Sequence, residues 1–172
     1  MKTLISGLVA SAVILTASAA TNVDFPGDGT SADVLSSCLV DLSSAVNGSL
    51  GAQAPYTELS STVANGSSGQ ARIDATNLPL GTQVTFSAPS WISTNAGYSS
   101  GSEQTSVRIT PIGNATCDHS DWSTEIVTCT LPSSLGIISS ERFHVDSKAI
   151  DNGGFPSTGD DYTLRTVVTC AG

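Results

Sequence analysis

Two histidines, four cysteines and fifteen carboxylates are the residues of this chain with acid–base, nucleophilic or metal-binding capacity. Their spacing decides what they could do. His119 stands between Asp118 and Asp121 in a short polar run bounded by Cys117 and Trp122, a grouping that offers donors to a metal ion or to a proton. A metal needs more ligands than that, closing on one point, so the run reads as a solvated hairpin tip. His144 alternates with Arg142 and Asp146 and falls on the polar side of its segment. There is no Gly-x-Ser-x-Gly, and no Ser or His stands in a recognisable nucleophile setting. Glu58, Glu103, Glu125 and Glu141 show nothing that marks a glycosidase pair. Asp151-Asn152-Gly153-Gly154 and Asp160-Asp161 carry oxygens that suit calcium, but the spacing is not an EF-hand loop and turn chemistry accounts for each residue. No catalytic residue, metal ligand or cofactor is expected, and the protein is not expected to be an enzyme.

Recognition is the remaining kind of site. Trp91, Tyr98 and Trp122 are candidates to stack on a ligand such as a sugar ring, since exposed aromatics offer an apolar face with a polar edge. The preferred alternative is burial, with Trp91 in the core and Trp122 covering a disulfide. Asn47-Gly48-Ser49, Asn65-Gly66-Ser67 and Asn114-Ala115-Thr116 are glycosylation sequons, used only if the source glycosylates exported chains.

The elements that position these residues follow from composition and periodicity. Residues 1–20 have the order of a secretory signal: Lys2, an apolar stretch from Leu4 to Leu15, then Ala17, Ser18, Ala19 and Ala20. That apolar run is too short to span a bilayer, and none follows that could. Residues 21–172 are expected to form one exported domain with oxidised cysteines. Removing Lys2 leaves five basic residues against fifteen acidic ones, a formal net charge of about −10. Such a surface repels phosphate backbones and anionic lipid, so nucleic-acid binding and membrane insertion of the mature chain are not expected.

Period-two alternation recurs in short pieces: Ser37–Leu42, Gln70–Asn77, Gln83–Ala88, Thr105–Ile109, Glu125–Leu131, Glu141–Ala149 and Asp161–Cys170, with Asn22–Phe25 as a further short strand. Between them lie turn-rich stretches. Val46–Ser68 carries two Asn-Gly pairs, Leu78–Gly81 is a turn, and Trp91, Ile92 and Tyr98 sit in a Gly/Ser-rich loop. No segment shows a helical stripe. The pattern predicts an all-β, antiparallel sandwich of about seven to eight strands, Ig-like and disulfide-stabilised.

Four cysteines allow three pairings. The loop after Cys117 lets its strand turn back toward Cys129, while Cys38 and Cys170 both lie on the apolar side of their strands, where a bond would tie the first core strand to the last. Over Gln83–Thr169, the series Thr116-Cys117, a polar loop, Ile126-Val127-Thr128-Cys129-Thr130-Leu131-Pro132 and the final Thr163–Thr169 resembles the Ig-like repeat of bacterial surface proteins. That resemblance implies an Ig-type sandwich used as a structural or adhesive spacer, with a cystine at Cys117 and Cys129 and no catalytic residues. Over Val23–Asp41, Val23-Asp24-Phe25-Pro26-Gly27 followed by Ser37-Cys38-Leu39-Val40-Asp41 resembles the first strands of chaperone–usher pilins. That likeness implies strand donation between subunits and a Cys38–Cys117 link. The expected function is a secreted, non-enzymatic structural or adhesive protein of a cell surface, wall or filament, partnered by itself or other surface proteins. The alternative is a soluble extracellular binding module, taking glycans or acting as an inhibitor.

Overall fold

The computed structural model describes residues 37–41, 44–53, 55–94, 98, 103–134, 138–155 and 162–171. The expected signal segment, the strand expected at residues 22–25 and the pair Asp160-Asp161 lie outside them. The described chain is all-β, with antiparallel pairing throughout. Its strands are β1 (Ser37–Val40), β2 (Gly51–Gln53), β3 (Glu58–Ser60), β4 (Gly69–Thr76), β5 (Gln83–Phe86), β6 (Ser90–Ser93), β7 (Gln104–Pro111), β8 (Thr116–Cys117), β9 (Val127–Thr130), β10 (Ile138–Ile150), β11 (Thr163–Arg165) and β12 (Val168–Ala171). Twelve strands stand where seven or eight were expected. The additional ones are short. β2 and β3 form inside the Val46–Ser68 stretch read as turns, β6 forms where a loop was expected, and the last predicted strand breaks at Thr166-Val167 into β11 and β12. Two to four residues are too few to show a period against a Ser/Gly background, so only pairing with a neighbour reveals them.

β10 is the long strand on which the larger sheet is built. Its first half pairs with β4, its last three residues pair with β3, and its other edge takes β7. β1 adds to β4 and β2 to β3. The second sheet runs β12-β5-β9-β8, and β11 with β6 makes a two-stranded ribbon. Alternation decides which face of each strand is buried. Ala71, Ile73 and Ala75 of β4, Val107 and Ile109 of β7, and Phe143 and Val145 of β10 meet Val84 and Phe86 of β5, Val127 and Cys129 of β9, and Val168 of β12. Phe86 and Phe143 touch across the layers at a ring separation of 5.2 Å. Two sheets closing on one apolar layer make a sandwich.

A second, smaller core lies at the other end of β10. Leu50, Leu59, Ala149, Phe155, Tyr162 and Leu164 are buried there, with Ala52, Trp91 and Tyr98 packed against them. Of the two Asn-Gly pairs, only Asn65-Gly66 shows the expected positive φ, and only at its Asn. Asn65 adopts φ 66°, and a Cβ on the following Gly66 would come within 2.5 Å of the Ser60 carbonyl oxygen.

Both disulfides suggested by the strand pattern are present, and no described cysteine is free. Cys117–Cys129 joins neighbouring strands β8 and β9. Cys38–Cys170 joins β1 to β12, linking the two sheets across 132 residues of sequence. The Cys38–Cys117 link implied by a pilin-like arrangement does not form.

Candidate functional site

The candidate stacking residues separate into two places. Trp91 comes from β6 and Tyr98 from the segment after it, and both converge with Phe155 and Tyr162 on the smaller core. Every pair among these four rings lies between 5.3 and 6.3 Å, within the range of edge-to-face and tilted packing. Trp91 therefore packs against three other rings, while staying partly exposed.

Aromatic burial brings polar edges inward, and each needs an acceptor. Trp91 Nε1 donates to Glu103 Oε1 at 2.5 Å. The Tyr98 hydroxyl faces two carboxylates, Asp151 Oδ2 at 2.9 Å and Glu103 Oε2 at 3.2 Å. Burial pushes the Tyr98 phenol above its ordinary range, and the bond to Asp151 and the charge of Glu103 push it further the same way. Asp151 also accepts from the Gly153 amide at 2.9 Å, which shapes the turn leaving β10. The Asp151–Gly154 oxygens considered for calcium are thus headed by a carboxylate already engaged with a phenol and an amide. The arrangement is a set of pins for an aromatic cap, and the acids hold rings in place.

Trp122 lies elsewhere, on the outer face of β7 and β10. Lys148 Nζ sits 4.3 Å and Arg108 Cζ 5.0 Å from its ring centroid. Beside it Arg108 donates to Asp146 Oδ2 at 2.8 and 3.2 Å, and Ser68 and Ser61 donate to Oδ1 at 2.5 and 2.9 Å. Burial by itself would raise the Asp146 carboxyl. The hydrogen bonds from Ser68, Arg108 and Ser61, with the Arg108 charge, outweigh it and hold the group below its ordinary value.

The His119 loop spreads its groups outward. Asp118 Oδ1 accepts from the Thr128 amide at 2.9 Å, Asp121 Oδ1 accepts from the Trp122 amide at 2.7 Å, and both residues are exposed with His119. Among the described residues no group of three or more His, Cys, Asp or Glu could hold a metal ion. A solvent-facing hollow of about 410 Å³ lies beside the cystine, lined by Gln83, Thr116, Cys117, Asp118, Thr128 and Thr130. All three sequon asparagines, Asn47, Asn65 and Asn114, are exposed.

Sequence reasoning missed Glu103, Phe155 and Tyr162 as partners of Trp91 and Tyr98, and Asp146 as the hub of its network. Glu103 carries no local signal, since it meets Trp91 only through the fold. Arg108 and Asp146 each sit at polar positions of alternating segments, the one trace that could have suggested a cross-strand pair. Among the described residues no helix is long and apolar enough to cross a membrane. In comparison with known proteins, no family model, no curated protein and no solved structure matches the chain.

Proposed function

We propose that the mature chain is a secreted, non-enzymatic structural or adhesive module of a cell surface, wall or filament, an Ig-like spacer in the broad sense. The observation that carries this reading is the Cys38–Cys170 bond between the first and last described strands, 132 residues apart. Tension applied before β1 and after β12 runs through that covalent link and bypasses the whole sandwich. Four of the described carboxylates support the same reading, because Asp146, Glu103, Asp151 and Asp118 hold strands, rings and turns.

Pulling the oxidised protein by handles at residues before 37 and after 171 is expected to give no unfolding extension. Reduction is expected to release roughly 45 nm, the reach of 132 residues at about 3.3–3.6 Å each. An oxidised chain that extends by that length removes the load-bearing argument. Fractionation of the source culture is expected to recover the protein with the surface. Recovery only as free protein in the medium overturns the assignment.

A second reading, a glycan-binding module, has one observation behind it: the hollow beside the cystine presents Thr and Gln side chains at the spacing of adjacent strands. A glycan array with no hit that Thr128→Val abolishes removes it.

A further inference from the structure

The chain is acidic overall, with a formal net charge of −9, yet its cations are not scattered. Four of the six Lys and Arg residues, Arg72, Arg108, Arg142 and Lys148, stand on the outer face of β4, β10 and β7. Between the rows of Ser140 and Lys148 they face three carboxylates, those of Asp41, Asp74 and Asp146. The local balance is therefore positive by one. Those three carboxylates are spent on two of the cations: Arg108 is bound to Asp146, and Arg72 lies 2.9 Å from Asp74 and 3.8 Å from Asp41. Lys148 lies over Trp122. Arg142 is left, exposed and without an ion pair among the described residues.

Its setting is unusual for a solvated surface. Arg142 is the direct cross-strand partner of Arg72, and like charges in that relation repel unless something anionic lies between them. His144, two residues on along the same face, has an Nδ1 that is buried and has no hydrogen-bond partner among the described residues. Exposed apolar side chains stand on the same face, Ile112 beside Arg142 and two others beyond β4. Ile112, whose amide bonds the Arg142 carbonyl at 2.8 Å, is 50% exposed. Val46, bridged to Gln70 on the same face, is 48% exposed, and Leu39 of β1 is 55% exposed. An unpaired guanidinium beside a half-exposed aliphatic residue is a pairing common in protein interfaces, where Arg and apolar groups are enriched.

The complementary feature would be a carboxylate beside an exposed aliphatic side chain, and this chain presents one. Glu125 and Ile126 are consecutive at the corner entering β9. Glu125 is exposed with no ion pair among the described residues, and Ile126 is 58% exposed. We propose that the protein docks on a second copy of itself, head to tail, with the Glu125–Ile126 corner of one molecule seated on the Arg142 face of the next. The two surfaces differ, so the contact is heterologous and each molecule keeps one of each kind free for a further neighbour. Arg142 receives the Glu125 carboxylate through its planar fork, and Ile126 lies against Ile112 beside it. The inference rests on the structural reading above and names the surfaces by which such a module would assemble.

The test is sedimentation of the mature, oxidised protein between about 10 μM and 1 mM, at low and at physiological salt. Concentration-dependent association that weakens with salt is expected. Arg142→Glu and Glu125→Arg are each expected to lower the association constant at least about tenfold, and mixing the two variants, or combining them in one chain, to restore it. Both positions are exposed, and an unchanged thermal transition shows that each variant folds. Should Arg142→Glu fail to fold, Glu125→Arg on the other partner of the contact carries the same test. A protein that stays monomeric at 1 mM and low salt overturns the proposal. So does association untouched by either substitution, or an Arg142 face that instead retains an acidic polysaccharide on a monomer. A monomer that is still surface-bound and inextensible when oxidised sinks the docking alone and leaves the structural reading standing.

Discussion

The main sandwich and the aromatic cap are built on the same strand and solve burial in opposite ways. Along β10, Phe143 and Val145 enter a layer of Val, Ile, Ala and Phe side chains, groups that ask nothing of their neighbours except shape. Four residues later Ala149 enters a cluster of four rings, three of which carry a polar edge, and Glu103 and Asp151 accept from those of Trp91 and Tyr98. The sandwich is held by area and by a covalent tie between its sheets. The cap is held by a small number of specific bonds. Apolar packing tolerates substitution of similar volume, whereas a buried polar pin removed from one side leaves its partner unsatisfied. The two ends should therefore fail under different insults.

The largest expected effect is on the tie. Replacing Cys38 and Cys170 together with Ser should cost about 5 kcal/mol for a loop of this length, read from the denaturant midpoint. Because β10 runs through both cores, fluorescence of Trp91 in a Trp122→Phe background should follow the same transition as far-UV dichroism. Two separate transitions would show that the cap folds by itself and break the comparison.

Phe143→Ala should cost roughly 3–5 kcal/mol, through the lost ring and the gap left opposite Phe86. A loss under about 1 kcal/mol would mean that the two layers close over the gap, and that shape is not what holds the sandwich.

In the cap, Tyr98→Phe keeps the ring and deletes one hydroxyl. It should cost about 1–3 kcal/mol because Asp151 and Glu103 lose a donor. If it were neutral, ring packing alone would account for the cap and the contrast would vanish.

The pH response sharpens the comparison further. Tyr98 has a raised folded-state pKa, so its contribution is complete below the ordinary tyrosine range and is lost as pH climbs through the folded value. Asp146 has a lowered folded-state pKa, so its contribution is present above the ordinary carboxylate range and is lost as pH falls through the folded value. Alkali should loosen the cap first and acid the outer face of β7–β10. Tm profiles of Tyr98→Phe and Asp146→Asn should each flatten on one side only. Profiles that flatten on the same side contradict the assignment of these two groups.

Much of the sandwich was legible because its strands are long enough to alternate. Gln70–Asn77 and Glu141–Ala149 mark β4 and β10 within a few residues, and Gln83–Ala88 marks β5. The cysteines were legible for the same reason, since Cys38, Cys129 and Cys170 fall in phase with apolar neighbours. The cap was not. Trp91, Tyr98, Glu103, Asp151, Phe155 and Tyr162 come from separate turns and short strands, with no period linking them. Val46–Ser68 looked like turns because Ser, Gly and Asn dominate it, and β2 and β3 exist there because β10 offers an edge to pair with.

The amino-acid order alone set the all-β class, the oxidisable cysteines and the inward face of each longer strand, because those properties depend on neighbours two residues apart. Which acid holds which ring, and that four cations of an acidic chain gather on one face, depend on strand order across the sheets. Local alternation is blind to that order. It is decided when β10 takes β4 and β3 on one edge and β7 on the other.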